Sequence, residues 1–160
     1  MIHYCYGKGK GKTSAAAGAC LRALGHGMRC AYAQFHKNGS SGEVSQLRKL
    51  GADVYDAGEV RFMRDMSDEE ISRMTDRHND ELRSVMNGYD LIVLDELGDA
   101  VRLGTVDISL VREVLSCGAE VIVTGHDAVP LFMDADYITR FEDEAHPYRK
   151  GIKARKGIEY

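Results

Sequence analysis

Residues 7–14 combine glycine, lysine and hydroxyl side chains in the spacing of a phosphate-binding loop. They are Gly7, Lys8, Gly9, Lys10, Gly11, Lys12, Thr13 and Ser14. Because glycine has no Cβ, the backbone amides of such a loop can curl around an anion and approach it closely. In the motif G-x-x-x-x-G-K-[ST], the lysine reaches the terminal phosphates of a nucleotide and the hydroxyl group holds Mg²⁺. These roles fall to Lys12 and Thr13, whereas the first glycine of the motif is replaced by Tyr6.

The surroundings of this loop are those that the motif requires. Residues 2–6 have the aromatic and β-branched bias of a strand, and an alanine run predicts a helix over residues 13–24. The N-terminus of that helix directs free N–H groups at the same anion. The strand–loop–helix context disfavours the alternative of a flexible Gly/Lys-rich loop. Lys8 and Lys10 either add positive charge for a polyphosphate leaving group or point to solvent.

Two carboxylates follow an apolar run at residues 91–94. They are Asp95 and Glu96, and a P-loop fold places its metal-facing acidic residue at this point. Either carboxylate could bind the metal together with Thr13, while the other activates water or supports the ligand. The alternative is a pair that only caps a turn. The sequence favours a metal site because the pair ends a buried strand downstream of a phosphate loop.

The next apolar strand, at residues 121–124, also ends in polar groups. Ligands of open α/β sheets bind outside the carboxyl ends of the strands. Thr124, Gly125 and His126 are therefore candidates to line the nucleotide site. For His126 an exposed position beside a helix is an equal alternative.

Strands and helices alternate along the chain. Further strands are predicted over residues 29–35, 52–55 and 137–141, and helices over 67–87, 107–116 and 127–133. Two capping boxes, Ser40 with Glu43 and Ser67 with Glu70, are expected to open helices. This order predicts an α/β protein with a three-layer P-loop NTPase-like (RecA-like) fold, in which a mainly parallel sheet carries helices on both faces. Residues 1–160 are expected to form a single domain.

Composition narrows the classes of partner. The net charge of −4 argues against a large nucleic-acid surface, and no apolar run is long enough to cross a membrane. The four cysteines are widely spaced without a C-x-x-C motif, which predicts reduced, buried thiols in a cytoplasmic protein. Against this acidic background the lysines of the loop stand out as a local anion site.

Several segments along the chain, taken together, resemble one protein family more specifically than the loop alone does. They are residues 7–14, 33–39 with Lys37 and Gly39, 42–43, 89–96, 123–125, 135–139, 146–148 and 151–160. The last, which reads Gly-Ile-Lys-Ala-Arg-Lys-Gly-Ile-Glu-Tyr, is the most specific of them. In this order the segments resemble the ATP:corrinoid adenosyltransferases of the CobA type, which attach the 5′-deoxyadenosyl group of ATP to the cobalt of cobalamin precursors.

The resemblance implies a reaction in which Co(I) of a reduced corrinoid attacks C5′ of ATP and inorganic triphosphate leaves. The corrinoid supplies the nucleophile, so the protein needs none of its own. Lys12 and Glu96 are the residues assigned to catalysis, and ATP is expected on residues 7–14 with Gly125 and His126. Mg²⁺ or Mn²⁺ is expected on Thr13, Asp95 and Glu96. The resemblance also implies a homodimer, and a flavodoxin-like or other reductase is a candidate partner for making Co(I).

The chain departs from the family pattern at three points. Lys8 replaces an asparagine in the loop, and His126 replaces an arginine that contacts the polyphosphate. The chain has no tryptophan, whereas the family has one near the corrinoid. Phe62 and Met63 are the corrinoid-contacting candidates in that region, with ordinary core packing as the alternative. Asp76-Arg77-His78 resembles the start of a cobalamin-ligating motif, but His78 lies on the apolar stripe of a predicted helix.

Two other functions remain open at the level of sequence. One is a small P-loop kinase of the thymidine-kinase-like group, although the paired cysteines that many such kinases use for zinc are missing. The other is a non-catalytic ATP-binding switch. Formation of ADP with a nucleoside would indicate the kinase, whereas tight nucleotide binding without turnover would indicate the switch.

Overall fold

A six-stranded sheet forms the centre of the part of the chain that the structure describes. The computed structural model describes residues 1–37, 39–56 and 63–158, with only the backbone of Met63. The strand order is β3-β2-β4-β5-β1-β6, and every neighbouring pair is parallel. The strands are β1 (Ile2–Tyr6), β2 (Cys30–Gln34), β3 (Asp53–Asp56), β4 (Leu91–Asp95), β5 (Glu120–Gly125) and β6 (Tyr137–Arg140). The prediction of a mainly parallel sheet is confirmed.

Within the described ranges, five α-helices connect these strands. They are α1 (Lys12–Gly25), α2 (Gly42–Lys49), α3 (Asp68–Val85), α4 (Leu97–Leu103) and α5 (Ile108–Leu115). Short 3₁₀ helices cover Met63–Asp65, Pro130–Phe132 and Pro147–Lys150. The helix predicted over residues 127–133 is wrong beyond the single turn at Pro130–Phe132. The sequence pattern did not predict α4, which is only seven residues long.

Each face of the sheet has its own hydrophobic core because side chains alternate along a strand. On β4, Leu91 and Val93 pack in the cluster with residues of α1 and α2. Ile92 and Leu94 point the other way, into the cluster formed with α3, α4 and α5. The near-continuous apolar sequence of β4 follows from this coverage of both faces. The result is the predicted three-layer, P-loop NTPase-like arrangement of helix, sheet and helix.

The two predicted capping boxes have different outcomes. At the start of α3 the Ser67 hydroxyl accepts a hydrogen bond from the Glu70 amide, and the Glu70 carboxylate accepts one from the Ser67 amide. This box is confirmed. The box at residues 40–43 is wrong, because α2 begins one residue later than expected, with Ser41 as its N-cap and no side-chain capping bond.

The cysteines are all free thiols, as expected, but their burial varies. Cys20 and Cys30 are buried, Cys5 is half-buried and Cys117 is exposed. The prediction of buried thiols is therefore wrong for Cys117, which lies in the turn after α5. In the part of the chain that the structure describes, none of the helices has the length and apolar character that crossing a membrane requires.

Candidate active site

The candidate site lies at the carboxyl edge of the sheet, where β1, β4 and β5 end side by side. The chain leaves β1 into the glycine- and lysine-rich loop and enters α1 at Lys12. Asp95 ends β4 and Gly125 ends β5. Parallel strands bring all their carboxyl ends to one edge, so segments distant in sequence meet there. A cleft of about 230 Å³ at this point is lined by Lys8, Gly9, Lys10, Gly11, Lys12, Thr13, Ser14, Glu96, Thr124, His126, His146 and Ile158.

The loop packs closely against the segment that follows β6. The amide of Gly9 donates a 2.9 Å hydrogen bond to the carbonyl oxygen of Phe141. A Cβ atom at Gly9 would lie 2.6 Å from the carbonyl carbon of Glu142, closer than packing allows. Gly7 and Gly11 have φ angles of 119° and 116°, in the left-handed region that glycine favours. The glycines are thus required by backbone shape and by chain packing, beyond any contact with an anion.

Lys12 folds back across the loop. Its ammonium group donates a 2.8 Å hydrogen bond to the carbonyl oxygen of Gly9, and only 9% of the residue is exposed. Burial lowers the pKa of Lys12, while the carboxylates of Asp99, Glu96 and Asp95 act in the opposite direction. The ammonium is therefore held inside the turn of the loop, on the wall of the cleft, where an anionic ligand would meet it.

The other two lysines of the loop also have partners. Lys8 forms a 2.7 Å ion pair with Asp127, and the ammonium group of Lys10 donates to the carbonyl oxygen of Ile158. The contact of Lys10 brings the C-terminal segment across the mouth of the loop. Both residues are exposed, and each side chain is held at the edge of the loop by its partner.

Asp95 is a fully buried carboxylate with a complete set of donors. Its Oδ1 atom accepts hydrogen bonds from the hydroxyl groups of Thr13 (3.1 Å) and Thr124 (2.8 Å). Its Oδ2 atom accepts from Gln34 (3.3 Å) and from Lys37 (2.6 Å). Residues from β2, β4, β5 and α1 are thereby tied to one charged group.

Lys37 is a site residue that the assignment of roles from sequence missed. Its ammonium group lies 2.6 Å from Asp95 Oδ2, 3.0 Å from Thr13 Oγ1 and 3.2 Å from Glu96 Oε1. Burial alone would lower the pKa of Lys37, but the carboxylates of Asp95 and Glu96 outweigh that effect and raise it. The only signal in the sequence was that Lys37 belongs to one of the segments shared with the family.

Glu96 has an unusual backbone conformation for a residue with a side chain. Its φ angle is 65°, in the left-handed region, and its amide donates a 2.8 Å hydrogen bond to the Thr124 hydroxyl group. The side chain is about one-fifth exposed to the cleft, whereas Asp95 is completely buried. Burial raises the pKa of Glu96, and the positive charge of Lys37 partly offsets that rise. A strained backbone that aims a carboxylate into a cleft is typical of a functional site.

The oxygen atoms of Thr13, Asp95 and Glu96 suit a magnesium ion. Mg²⁺ prefers hydroxyl, carboxylate and phosphate oxygen atoms, and in this structure those three side chains already surround a cation, the ammonium of Lys37. Within the described ranges, no group of three or more His, Cys, Asp and Glu residues forms a metal cluster. These side chains alone do not fill the octahedral shell of Mg²⁺, which the phosphates of a nucleotide would help to complete.

His126 lies beside the loop, paired with Asp99. Its Nδ1 atom is 2.9 Å from Asp99 Oδ2, and its amide donates to the same oxygen atom at 3.1 Å. The hydrogen bond to Asp99 raises the pKa of His126, and the charge of Glu96 adds to this effect, whereas Lys12 opposes it. Asp99 belongs to α4, the helix that the sequence pattern did not predict, so this pair could not be anticipated.

A larger cleft of about 710 Å³ opens next to the loop, on the side of β2 and α2. Thr13 and Lys37 line it on the side of the loop, and residues 157–158 of the C-terminal segment form part of its wall. Its walls are formed by Thr13, Ser14, Ala17, Gln34, His36, Lys37, Gly39, Ser40, Ser41, Gly42, Glu43, Gly157 and Ile158. This volume falls in the range of small-molecule sites.

Two of the sequence candidates cannot be placed in this site. Phe62 lies outside the described residues, and Met63 begins the 3₁₀ helix Met63–Asp65 with its side chain likewise outside them.

His78 is completely buried on α3, where its Nδ1 atom lies 3.1 Å from the carbonyl oxygen of Thr105. Burial lowers the pKa of His78 to about 4. The interpretation of His78 as a helix residue of the core is confirmed.

Comparison with known proteins identifies the family of this chain. A model of the ATP:corrinoid adenosyltransferase BtuR/CobO/CobP family matches residues 1–160. The chain belongs to that family. Among similar proteins, the corrinoid adenosyltransferase of a Sinorhizobium species is 32% identical over 165 residues, which cover 96% of this chain and 77% of that protein.

Two other adenosyltransferases match over nearly the whole chain. The corrinoid adenosyltransferase of Pseudomonas aeruginosa is 32% identical, covering 96% of this chain and 80% of that protein. The corrinoid adenosyltransferase CobA of Salmonella typhimurium is 29% identical, covering 96% and 82%. A solved structure of domain III of DnaA from Thermotoga maritima aligns over 94% of this chain and 58% of that chain, at 12% identity and a TM-score of 0.46. A likeness that weak supports no argument.

The resemblance inferred from sequence is thus confirmed. No comparison favours the kinase or the switch. The assignment of ATP, metal and catalytic roles to individual residues of this adenosyltransferase stays a prediction, supported by the way the structure groups them.

Proposed function

We propose that this adenosyltransferase binds the triphosphate of ATP on residues 7–14 and transfers the 5′-deoxyadenosyl group to Co(I) of a reduced corrinoid. The observation that supports this most directly is the meeting of Thr13, at the start of α1, with Asp95 and Glu96 at the end of β4. The cobalt forms a bond to C5′ with its own electron pair, and the C5′–oxygen bond breaks towards the triphosphate. No side-chain nucleophile is needed.

The protein's main task in this reaction is to stabilise the leaving group. Triphosphate leaves with about four negative charges, and cations lower the barrier when they bind it more tightly as that charge develops. Lys12 is already inside the turn of the loop, and Lys8 and Lys10 stand at its rim in pairs with Asp127 and Ile158. We assign Lys12 to the phosphates directly. His126 contributes a further positive charge while it is protonated.

A divalent ion, Mg²⁺ or Mn²⁺, would be held by the hydroxyl group of Thr13 and the carboxylate of Glu96. Glu96 is partly exposed to the cleft, whereas Asp95 is buried and saturated with hydrogen bonds. We therefore assign Asp95 to orient Thr13 instead of contacting the metal. When bound, the ion would neutralise phosphate charge. Glu96 is the catalytic carboxylate in this scheme.

The neighbouring cleft of about 710 Å³ has room for the adenosine part of ATP. The corrinoid would approach the mouth of this cleft with its reacting face. Phe62 and Met63 are proposed to contact the corrinoid. Residues 1–160 are proposed to work as one domain in a cytoplasmic homodimer, with Co(I) supplied by a flavodoxin-like or other reductase.

The decisive experiment supplies each reactant in defined form. The protein is incubated anaerobically with ATP, Mg²⁺ and chemically reduced cobalamin, without a reductase. We expect a light-sensitive alkylcobalamin spectrum and one triphosphate per alkyl group formed. Release of orthophosphate with no spectral change would contradict the proposal. ADP formed only with a nucleoside would indicate the kinase, and tight ATP binding without turnover would indicate the switch.

A further inference from the structure

We infer that Lys37 is a built-in counter-ion that fills the metal position while no nucleotide is bound and must leave it before a divalent ion can enter. The inference rests on the proposed metal site at Thr13 and Glu96, and it adds a cause for coupling between metal and nucleotide binding. It assigns to Lys37 a positioning role, distinct from contact with the reacting atoms.

The contacts of Lys37 match those expected of a cation in this place. An ammonium group has three N–H donors and no acceptor, and the three oxygen atoms around it belong to Thr13, Asp95 and Glu96. These are the same three side chains that the sequence assigns to the metal. The hydroxyl of Thr13 accepts from Lys37 and donates to Asp95, so the ammonium also sets the orientation of that hydroxyl group.

Electrostatics explain why the position needs a cation at all times. Asp95 and Glu96 are consecutive, and both carboxylates converge on one point at the floor of the cleft. A buried carboxylate without a compensating charge is strongly destabilising. In the absence of metal, Lys37 supplies that charge. Among the described residues, no other lysine or arginine forms an ion pair with Asp95 or Glu96 in this structure.

A divalent ion and the ammonium cannot occupy the position together. Both would contact the Thr13 hydroxyl group and the Glu96 carboxylate, and two cations at such short range repel each other strongly. Lys37 lies between β2 and α2, outside any helix or strand, and it also lines the 710 Å³ cleft. Displaced into that cleft, its ammonium group needs another anion, which the phosphates of a bound nucleotide provide. Metal should therefore bind weakly alone and tightly with ATP.

The test measures Mn²⁺ binding to the nucleotide-free protein by electron paramagnetic resonance. If Lys37 occupies the metal position in most molecules, only the remaining fraction can bind Mn²⁺, and the apparent affinity is reduced by that fraction. Removing the ammonium group should therefore strengthen Mn²⁺ binding by about tenfold or more. We expect that gain for Lys37→Met and Lys37→Gln. Lys37→Arg retains the charge and should bind Mn²⁺ as the wild type does. Lys49→Met removes an equal charge from an exposed position of α2 and should also leave binding unchanged.

A second readout guards against variants that are merely unfolded. In EDTA, Lys37→Met should melt at a lower temperature than the wild type, and Mn²⁺ should restore the loss. Unchanged or weaker Mn²⁺ binding by both Lys37→Met and Lys37→Gln, in samples folded by circular dichroism, would overturn the inference while leaving the adenosyltransferase proposal intact. If no variant and no wild-type sample bound Mn²⁺ even with ATP, the metal site itself would be wrong, and the inference with it.

Discussion

The hydroxyl group of Thr13 donates a hydrogen bond of 3.1 Å to the buried carboxylate of Asp95, although 82 positions separate the two residues. This bond joins the first turn of α1, next to the phosphate-binding loop, to the end of β4. It holds the Thr13 oxygen at the floor of the cleft, beside Glu96. The link between the loop and the acidic strand is therefore present without any ligand.

Asp95→Asn tests how much the fold depends on this carboxylate. The amide cannot accept hydrogen bonds at both atoms from Thr13, Thr124, Gln34 and Lys37, and the charge opposite Lys37 disappears. We expect the free energy of unfolding to fall by about 3 kcal/mol, as for other broken buried pairs. Urea denaturation measures it. Asp80→Asn, at an exposed ion pair with Arg83, should change it by less than about 1 kcal/mol.

Lys12→Ala tests the phosphate-binding loop. The substitution removes a charge-assisted contact to phosphate, and ATP affinity should fall by at least about tenfold. Isothermal titration calorimetry with MgATP measures the loss. Lys49→Ala removes the same charge on the exposed face of α2 and should bind ATP normally. ATP affinity of the wild-type level in Lys12→Ala would show that the triphosphate binds elsewhere.

The pair of His126 and Asp99 should make ATP binding depend on pH. The hydrogen bond to Asp99 raises the pKa of His126, so the imidazole keeps its positive charge to a higher pH than an isolated histidine does. ATP affinity should therefore fall as the pH rises through that raised pKa. Asp99→Asn should move the fall to lower pH, and His126→Arg should abolish it.

The matched control for this profile is His26→Gln, at an exposed position after α1, which should not alter it. The charges of Glu96 and Lys12 also influence the pKa of His126. The profile is measured as MgATP affinity at constant ionic strength. Identical profiles for the wild type and Asp99→Asn would show that His126 does not act on the nucleotide.

Glu81 should make stability depend on pH. It is buried on α3, and neither carboxyl oxygen has a hydrogen-bond partner in the described part of the chain. Burial raises its pKa from 4.5 to about 8, and the charge of Asp56 acts in the same direction. Below pH 4.5 both the folded and the unfolded states hold the proton. Between pH 4.5 and 8 only the folded state holds it, so this stabilising contribution is lost as the pH rises.

Glu81→Gln keeps the shape of the side chain and cannot ionise. Relative to the wild type, it should raise the free energy of unfolding at pH 8 more than at pH 5, with an upper limit of about 4 kcal/mol for the difference. Urea denaturation at the two pH values measures it. Glu69→Gln, at an exposed position of the same helix, should show no such difference. An equal effect of Glu81→Gln at both pH values would contradict the prediction.

Gly9→Ala tests the packing of the loop against the segment after β6. The added Cβ would lie 2.6 Å from a backbone carbon of Glu142, so the two chains must separate. We expect a loss of about 1–3 kcal/mol in stability and weaker ATP binding. Gly18→Ala is the control, because a Cβ there meets no atom within 4 Å and α1 should gain about 0.5–1 kcal/mol. Thermal unfolding compares the two; equal stability would refute the packing argument.

The sequence alone determined those features that short-range patterns encode. The glycine spacing of residues 7–14, the strand before it and the helix after it specify a phosphate-binding loop. Apolar runs on β4 and β5 indicate strands covered on both faces, since alternate side chains of each strand enter different cores. The capping box at Ser67 and Glu70 marks the start of α3 for the same local reason.

Only the tertiary structure decided how those parts meet. Lys37 and Gln34 reach Asp95 because β2 lies beside β4 in the sheet, a neighbour relation that no local pattern encodes. The division between a buried Asp95 and a partly exposed Glu96 depends on the left-handed turn at Glu96. Charge and hydrogen bonding at a site depend on distances between segments far apart in sequence, and those distances exist only once the sheet has formed.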